Sequence, residues 1–125
     1  MSWQAYVDSN LVGSGFVKSA AIYGLDGSLW ASSGTNAQPE EIQKIIKGFA
    51  DSGPLLQSGL FFGGEKFIAV NCSDRSIYGR REGAGIACAK TKLCVLIGIY
   101  DESVQPGQAI STVERLAEYL VSVGY

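Results

Sequence analysis

Apolar residues along this chain recur at two different spacings, and the places where the spacing changes divide it into five blocks. Near the start, Trp3, Tyr6, Val7 and Leu11 fall with Asn10 on one stripe at helical period. Ser2 stands where an N-cap belongs, and Gly13 and Gly15 predict an end near Val12. Two apolar runs follow, Phe16 to Gly24 and Ser28 to Ser32, on either side of Asp26-Gly27. That dipeptide predicts a tight hairpin, and a two-residue turn would set Tyr23 opposite Trp30 on one face. Pro39-Glu40-Glu41 opens a second helix, with proline in the first turn and acids at the positive end of the dipole. Ile42, Ile45, Ile46 and Phe49 form its buried face, and Gly53-Pro54 stops it.

From Gly59 to Tyr100 the pattern is that of short strands in succession. They are broken at Gly63-Gly64-Glu65, Ser73-Asp74-Arg75, Glu82-Gly83-Ala84-Gly85 and Thr91-Lys92, which predicts an antiparallel meander. Gln105-Pro106-Gly107 starts a last helix. Its apolar face is Ala109, Ile110, Val113, Leu116, Ala117, Leu120 and Val121, with Tyr119 at the edge. The order helix, hairpin, helix, meander, helix predicts an α+β fold, one domain over residues 1–125. A curved central antiparallel sheet would carry the N- and C-terminal helices on one face. The middle helix, with room for one further short helix, would lie on the other.

Composition acts mainly by exclusion. The 125 residues are 46% hydrophobic, enough to build a packed core and too many for a disordered chain. No apolar run approaches the roughly 18 residues that span a bilayer, and no basic stretch precedes an apolar block at the start. The expected location is therefore the cytoplasm, without a transmembrane segment. Cys72, Cys88 and Cys94 lack any paired spacing and are expected to be small buried thiols, not a disulfide framework or a zinc site. The chain has no histidine, which removes Ser-His and Cys-His nucleophiles, His-ligated zinc and His general bases. The twelve Asp and Glu single out no acid–base pair. No cofactor, metal or catalysis is expected, and a binding protein is the stronger class. A small enzyme using carboxylates is the weaker one.

Charge is unevenly placed. The net charge is −2, yet Lys66, Arg75, Arg80, Arg81, Lys90 and Lys92 share their segment with only Asp74 and Glu82, a local balance of +4. Such a patch points to an acidic protein partner or anionic headgroups more than to nucleic acid. Aromatics with polar tips sit near both ends of the chain: Trp3, Tyr6, Trp30, Tyr119 and Tyr125. Burying ~200 Å² of ring at ~25 cal/mol/Å² is worth at most ~5 kcal/mol, so these residues could simply dock the two ends. Docking alone would be served as well by Phe or Leu. Several half-buried Trp and Tyr between two helices would instead make a shallow groove with outward donors, suited to a polyproline II ligand. Residue types alone leave both readings open, the first ahead of the second.

The motifs SWQAYVD, LDGSLWASS, PEEI, DRSIYGRREGAG, LIGIYDE and QPGQAISTVERLAEYL with a terminal GY occur in this order. In this sequence they span the chain and resemble profilin, most closely the amoebal, slime-mould and plant forms. The resemblance turns the aromatic reading toward the groove. It implies one-to-one binding of monomeric actin, regulation of its polymerisation, and binding of proline-rich proteins such as formins. It also implies binding of phosphatidylinositol 4,5-bisphosphate. The implied proline-binding set is Trp3, Tyr6, Trp30, Tyr119 and Tyr125, with Leu120 at its edge. The implied actin face is Lys66, Arg75, Tyr78, Arg80, Lys90, Gln105, Gly107, Glu114 and Arg115, with Arg115 foremost. The implied headgroup contacts are Arg75, Arg80, Arg81, Lys90 and Arg115. A small scaffold module for signalling or trafficking is the rival class. Retention on poly-L-proline separates the two.

Overall fold

The computed structural model of the protein describes residues 2–34 and 37–125. Seven strands form one antiparallel sheet: β1 (Ser19–Gly24), β2 (Leu29–Ser32), β3 (Leu60–Phe62), β4 (Glu65–Cys72), β5 (Ser76–Arg81), β6 (Ala84–Lys90) and β7 (Cys94–Tyr100). Their order is β2-β1-β7-β6-β5-β4-β3, so the meander from β3 to β7 is consecutive and the hairpin β1–β2 adds at its far edge.

The helices are α1 (residues 3–14), α2 (Pro39–Gly48), α3 (Gly53–Ser58) and α4 (Pro106–Ser122). Ser2 caps α1 as expected, accepting a bond from the Ala5 N–H at 3.1 Å. The helix then departs from the expected geometry. Only Trp3–Ala5 is α-helical, while Tyr6–Leu11 is a π-helix and Val12–Ser14 a 3-10 turn closed by Gly15 at φ 83°. In the wider turn Tyr6, Val7 and Leu11 are buried, whereas Asn10 is exposed and leaves the expected apolar stripe. α2 ends at Gly48, with Phe49 as its C-cap, before the expected stop at Gly53-Pro54. Pro54 lies in the first turn of α3, where its fixed φ and missing N–H are tolerated. Glu41 ties α2 to the β3–β4 turn, its carboxylate accepting the N–H groups of Gly63 and Gly64 at 3.1 and 3.0 Å.

The sheet separates two apolar cores, and this matches the expected α+β arrangement. On one face α1 and α4 bury Val7, Leu11, Ile22, Leu96, Val113, Leu116 and Leu120. On the other, α2 and α3 bury Ile42, Ile45, Phe49, Leu55, Phe62, Phe67 and Ile97. Strands covered on both faces, such as β7, are apolar throughout and lose the alternation of a half-exposed strand. Gly98 lets α4 approach: a Cβ there would lie 2.7 Å from Val113 Cγ2. Cys88 and Cys94 are buried in strands as expected, and Cys72 is half-buried at the end of β4. Burial raises all three thiol pKa values.

The hairpin also differs from expectation. Gly24 N–H donates to Ser28 O, so the loop holds three residues, with Gly27 at φ 91°. The Ser28 hydroxyl and amide both bond the Asp26 carboxylate and hold it below the usual carboxylate range. Tyr23 pairs with Leu29 and Ile22 with Ala31, a bulge that leaves Trp30 unpaired between them. Tyr23 therefore points into the α2 core, while Trp30 turns to the α1–α4 face.

Candidate functional site

Five aromatic rings from three distant parts of the chain meet between α1 and α4. Trp3 lies at the centre, with ring centroids 4.7 Å from Trp30, 5.1 Å from Tyr125 and 5.7 Å from Tyr6. Tyr6 in turn lies 6.3 Å from Tyr119. These spacings suit tilted and edge-to-face pairs, each worth ~0.5–1.5 kcal/mol beyond area burial. The rings are not sealed: Tyr119 is 51% and Tyr125 43% exposed, and both indoles are half-buried. Tyr6 is nearly covered at 8%, and burial, then Tyr119 and Tyr125 beside it, push its phenol pKa up. Leu120 is wholly buried, so it forms the floor under the rings instead of an edge open to a ligand.

Three features that aim the rings were not read from the sequence. The bulge at Trp30 swings its indole over Gly24, where any Cβ would lie 2.8 Å from Trp30 Nε1. The π-helix sets the angle between Trp3 with Tyr6 and the rest of α1. Finally, Tyr125 is tied down by its carbonyl oxygen. That oxygen accepts from the Leu93 N–H at 2.7 Å and the Thr91 hydroxyl at 2.9 Å, both in the β6–β7 turn.

A second surface lies on the same face of the sheet, on β4 and β5 beyond α4. Arg80 pairs with Ile68, and Lys66 shares the Ile68 side of β4 by alternation. Ile68 and Val70 are exposed large apolar residues among these cations. Tyr78 and Ser76 both donate to Glu114 Oε1, at 3.0 and 2.7 Å, which pins α4 to β5. Glu114 is thus engaged within the fold. Gln105 and Gly107 are exposed at the start of α4.

The predicted cations do not gather in one place. Arg75 and Lys90 adjoin, the Lys90 N–H donating to Arg75 O at 2.8 Å, and they share a cleft with Glu114 and Glu118. Arg80 and Arg81 are consecutive in β5 and so point to opposite faces. Arg81 instead lies 3.9 Å from Glu65 Oε2. Arg115 stands on the other flank of α4 from Glu114. There it lines a cavity of about 400 Å³ together with Tyr6, Asn10, Phe16, Thr112 and Tyr119. Its neighbours are the aromatic trough, not Lys66 and Arg80. Among the described residues, no cluster of His, Cys, Asp and Glu could hold a metal ion, and no helix is long and apolar enough to cross a membrane.

Comparison with known proteins follows the same outline. A family model for profilin matches residues 1–125. Profilin-A of Physarum polycephalum is 49% identical over the whole of both chains. The crystal structure of Acanthamoeba castellanii profilin II superposes with a TM-score of 0.97 at 42% identity, covering 99% of this chain and 100% of that one. Mouse profilin IIa, in complex with a double repeat from the FH1 domain of mDia1, superposes over 100% of both chains. Its TM-score is 0.83, at 25% identity.

Proposed function

The chain belongs to the profilin family, and from that premise we propose that it regulates actin polymerisation by binding, not by catalysis. It binds monomeric actin one to one on the β4–β5 surface and proline-rich segments in the aromatic trough, and it works in the cytoplasm and cytoskeleton. The observation that carries this reading is the convergence of Trp3, Tyr6, Trp30, Tyr119 and Tyr125 in one partly open trough. Flat rings pack against prolines, while indole N–H and phenol O–H groups serve the unpaired carbonyls of a polyproline II helix. The FH1 double repeat held by mouse profilin IIa supports a proline-rich partner of the formin kind.

On the other surface, Lys66 and Arg80 around exposed Ile68 and Val70 combine apolar area with positive charge, as a face for an acidic protein would. Tyr78 and its partner Glu114 adjoin it, and Arg75, Lys90, Gln105 and Gly107 are the further actin contacts that the family resemblance implies. Bound there, the protein blocks one face of an actin monomer and suppresses nucleation, while the loaded complex is delivered by partners held in the trough. Anionic inositol headgroups use Arg75 and Lys90, the two predicted cations that adjoin. A scaffold module would need neither the trough nor the cationic face.

Co-elution of the purified protein with monomeric actin and, separately, with an FH1-derived proline-rich peptide tests this reading. Both should co-elute. Trp3→Ala should weaken the peptide by roughly tenfold or more, as loss of a central aromatic anchor does. Retention of full peptide affinity by Trp3→Ala would sink the trough, and failure of actin to co-elute would sink the other half.

A further inference from the structure

We propose that the cavity between α1 and α4 is a subsite for a carboxylate flanking a proline-rich segment, and that Arg115 is the side chain that reads it. This rests on the trough being a proline groove, because the two are continuous: Tyr6 and Tyr119 line the cavity and also belong to the ring cluster. A ligand lying along the rings would run into the cavity at that end.

The chemistry of the lining selects an anion. Beside the phenols of Tyr6 and Tyr119, four polar side chains line the space: Asn10, Ser14, Thr112 and Arg115. The Ser14 hydroxyl already donates to Leu11 O at 2.6 Å, and the Thr112 hydroxyl to Gln108 O at 2.8 Å. The Asn10 amide and the Arg115 guanidinium are left as donors. No Asp or Glu lines the cavity, and among the described residues no carboxylate lies within ion-pair distance of Arg115. An unpaired guanidinium with fork geometry is matched by a carboxylate. Phe16, 37% exposed, adds an apolar wall for the ligand's backbone and side-chain stems. The opposite end of the trough is different. There Lys92 and Trp30 share a shallow cleft with Asp26, so an acid already stands where a ligand carboxylate would lie, bonded to Ser28.

The test uses three end-capped peptides: decaproline, and decaproline preceded or followed by two aspartates. Their affinities are read from the fluorescence of Trp3 and Trp30 at low ionic strength. The protein should bind one of the acidic peptides roughly two- to fivefold more tightly than decaproline, the range of a partly exposed ion pair. Added salt should shrink that preference. Arg115→Gln should bring the ratio to one, and Lys92→Gln should keep it. Equal affinity for all three peptides overturns the subsite, as does a preference that survives Arg115→Gln or vanishes in Lys92→Gln. Failure to bind any of the three overturns the trough itself and the subsite with it.

Discussion

At the scale of single residues, the feature with the largest leverage is a threonine outside the trough. Thr91 is the one polar side chain that is buried among the described residues. Its hydroxyl accepts the Cys94 N–H at 3.1 Å and donates to the Tyr125 carbonyl at 2.9 Å. It therefore links the β6–β7 turn to the residue whose ring packs edge-on against Trp3. Thr91→Val keeps the volume and removes the hydroxyl, leaving a buried amide and a carbonyl short of a partner. The expected cost is ~1–3 kcal/mol of stability in a urea melt. Peptide affinity should fall roughly threefold or more as Tyr125 loosens, with Thr91→Ser restoring most of it. An unchanged peptide affinity in Thr91→Val would mean that the Leu93 amide alone positions Tyr125. Nothing in the sequence marks this link, because Thr91-Lys92 reads only as a turn and the partner carbonyl lies 34 residues away.

Between elements, the spacing of α4 from the sheet decides whether the trough exists, since α4 carries Tyr119 and leads to Tyr125. Gly98 sets that spacing. A methyl group there would sit 2.7 Å from Val113 Cγ2 and 3.3 Å from Val17 Cγ1, with both valines in the packed core. Gly98→Ala should destabilise the fold by ~1–3 kcal/mol through overpacking. Val113→Ala in the same chain should recover part of that loss, and a double-mutant cycle on thermal melts measures it. Simple additivity of the two costs would show that the contact does not limit the approach. The elements themselves were largely legible, because Pro39, Pro106, the Gly-rich turns and the spacing of apolar residues each act locally. What failed was geometry governed by partners. The pairing of Tyr23 with Trp30 assumed a two-residue turn, but the loop takes three and a bulge turns Trp30 toward α1. The stripe on α1 assumed a period of 3.6, whereas Tyr6–Leu11 is wound as a π-helix over the α4 core.

At the scale of the whole molecule, the sequence revealed which residue types matter but not which of them are neighbours. Arg115 and Glu114 are adjacent in the chain, and the family resemblance groups them on one surface. In the fold, Glu114 accepts from Ser76 and Tyr78, while Arg115 opens toward Tyr6 and Tyr119. Residue Arg115 is therefore a poor probe of the β4–β5 face alone. Arg80, paired with Ile68 on β4, is the better one. The trough and that face lie on opposite flanks of α4, which is held in one place by its buried Ala109, Val113, Leu116 and Leu120 and by the Glu114 bonds to β5. Two sites without a shared bistable element have a coupling free energy near zero. The proline-rich peptide should then bind with the same affinity, within about twofold, whether or not actin is present. Arg80→Glu should weaken actin and spare the peptide, while Trp3→Ala should weaken the peptide and spare actin. Titrating the peptide into the free protein and into its actin complex by calorimetry measures the coupling directly. Because linkage is reciprocal, a large change in peptide affinity on loading actin would require an equal change in actin affinity on loading peptide. That result would place the two ligands on one conformational switch, carried by α4 and its Glu114 tether to β5.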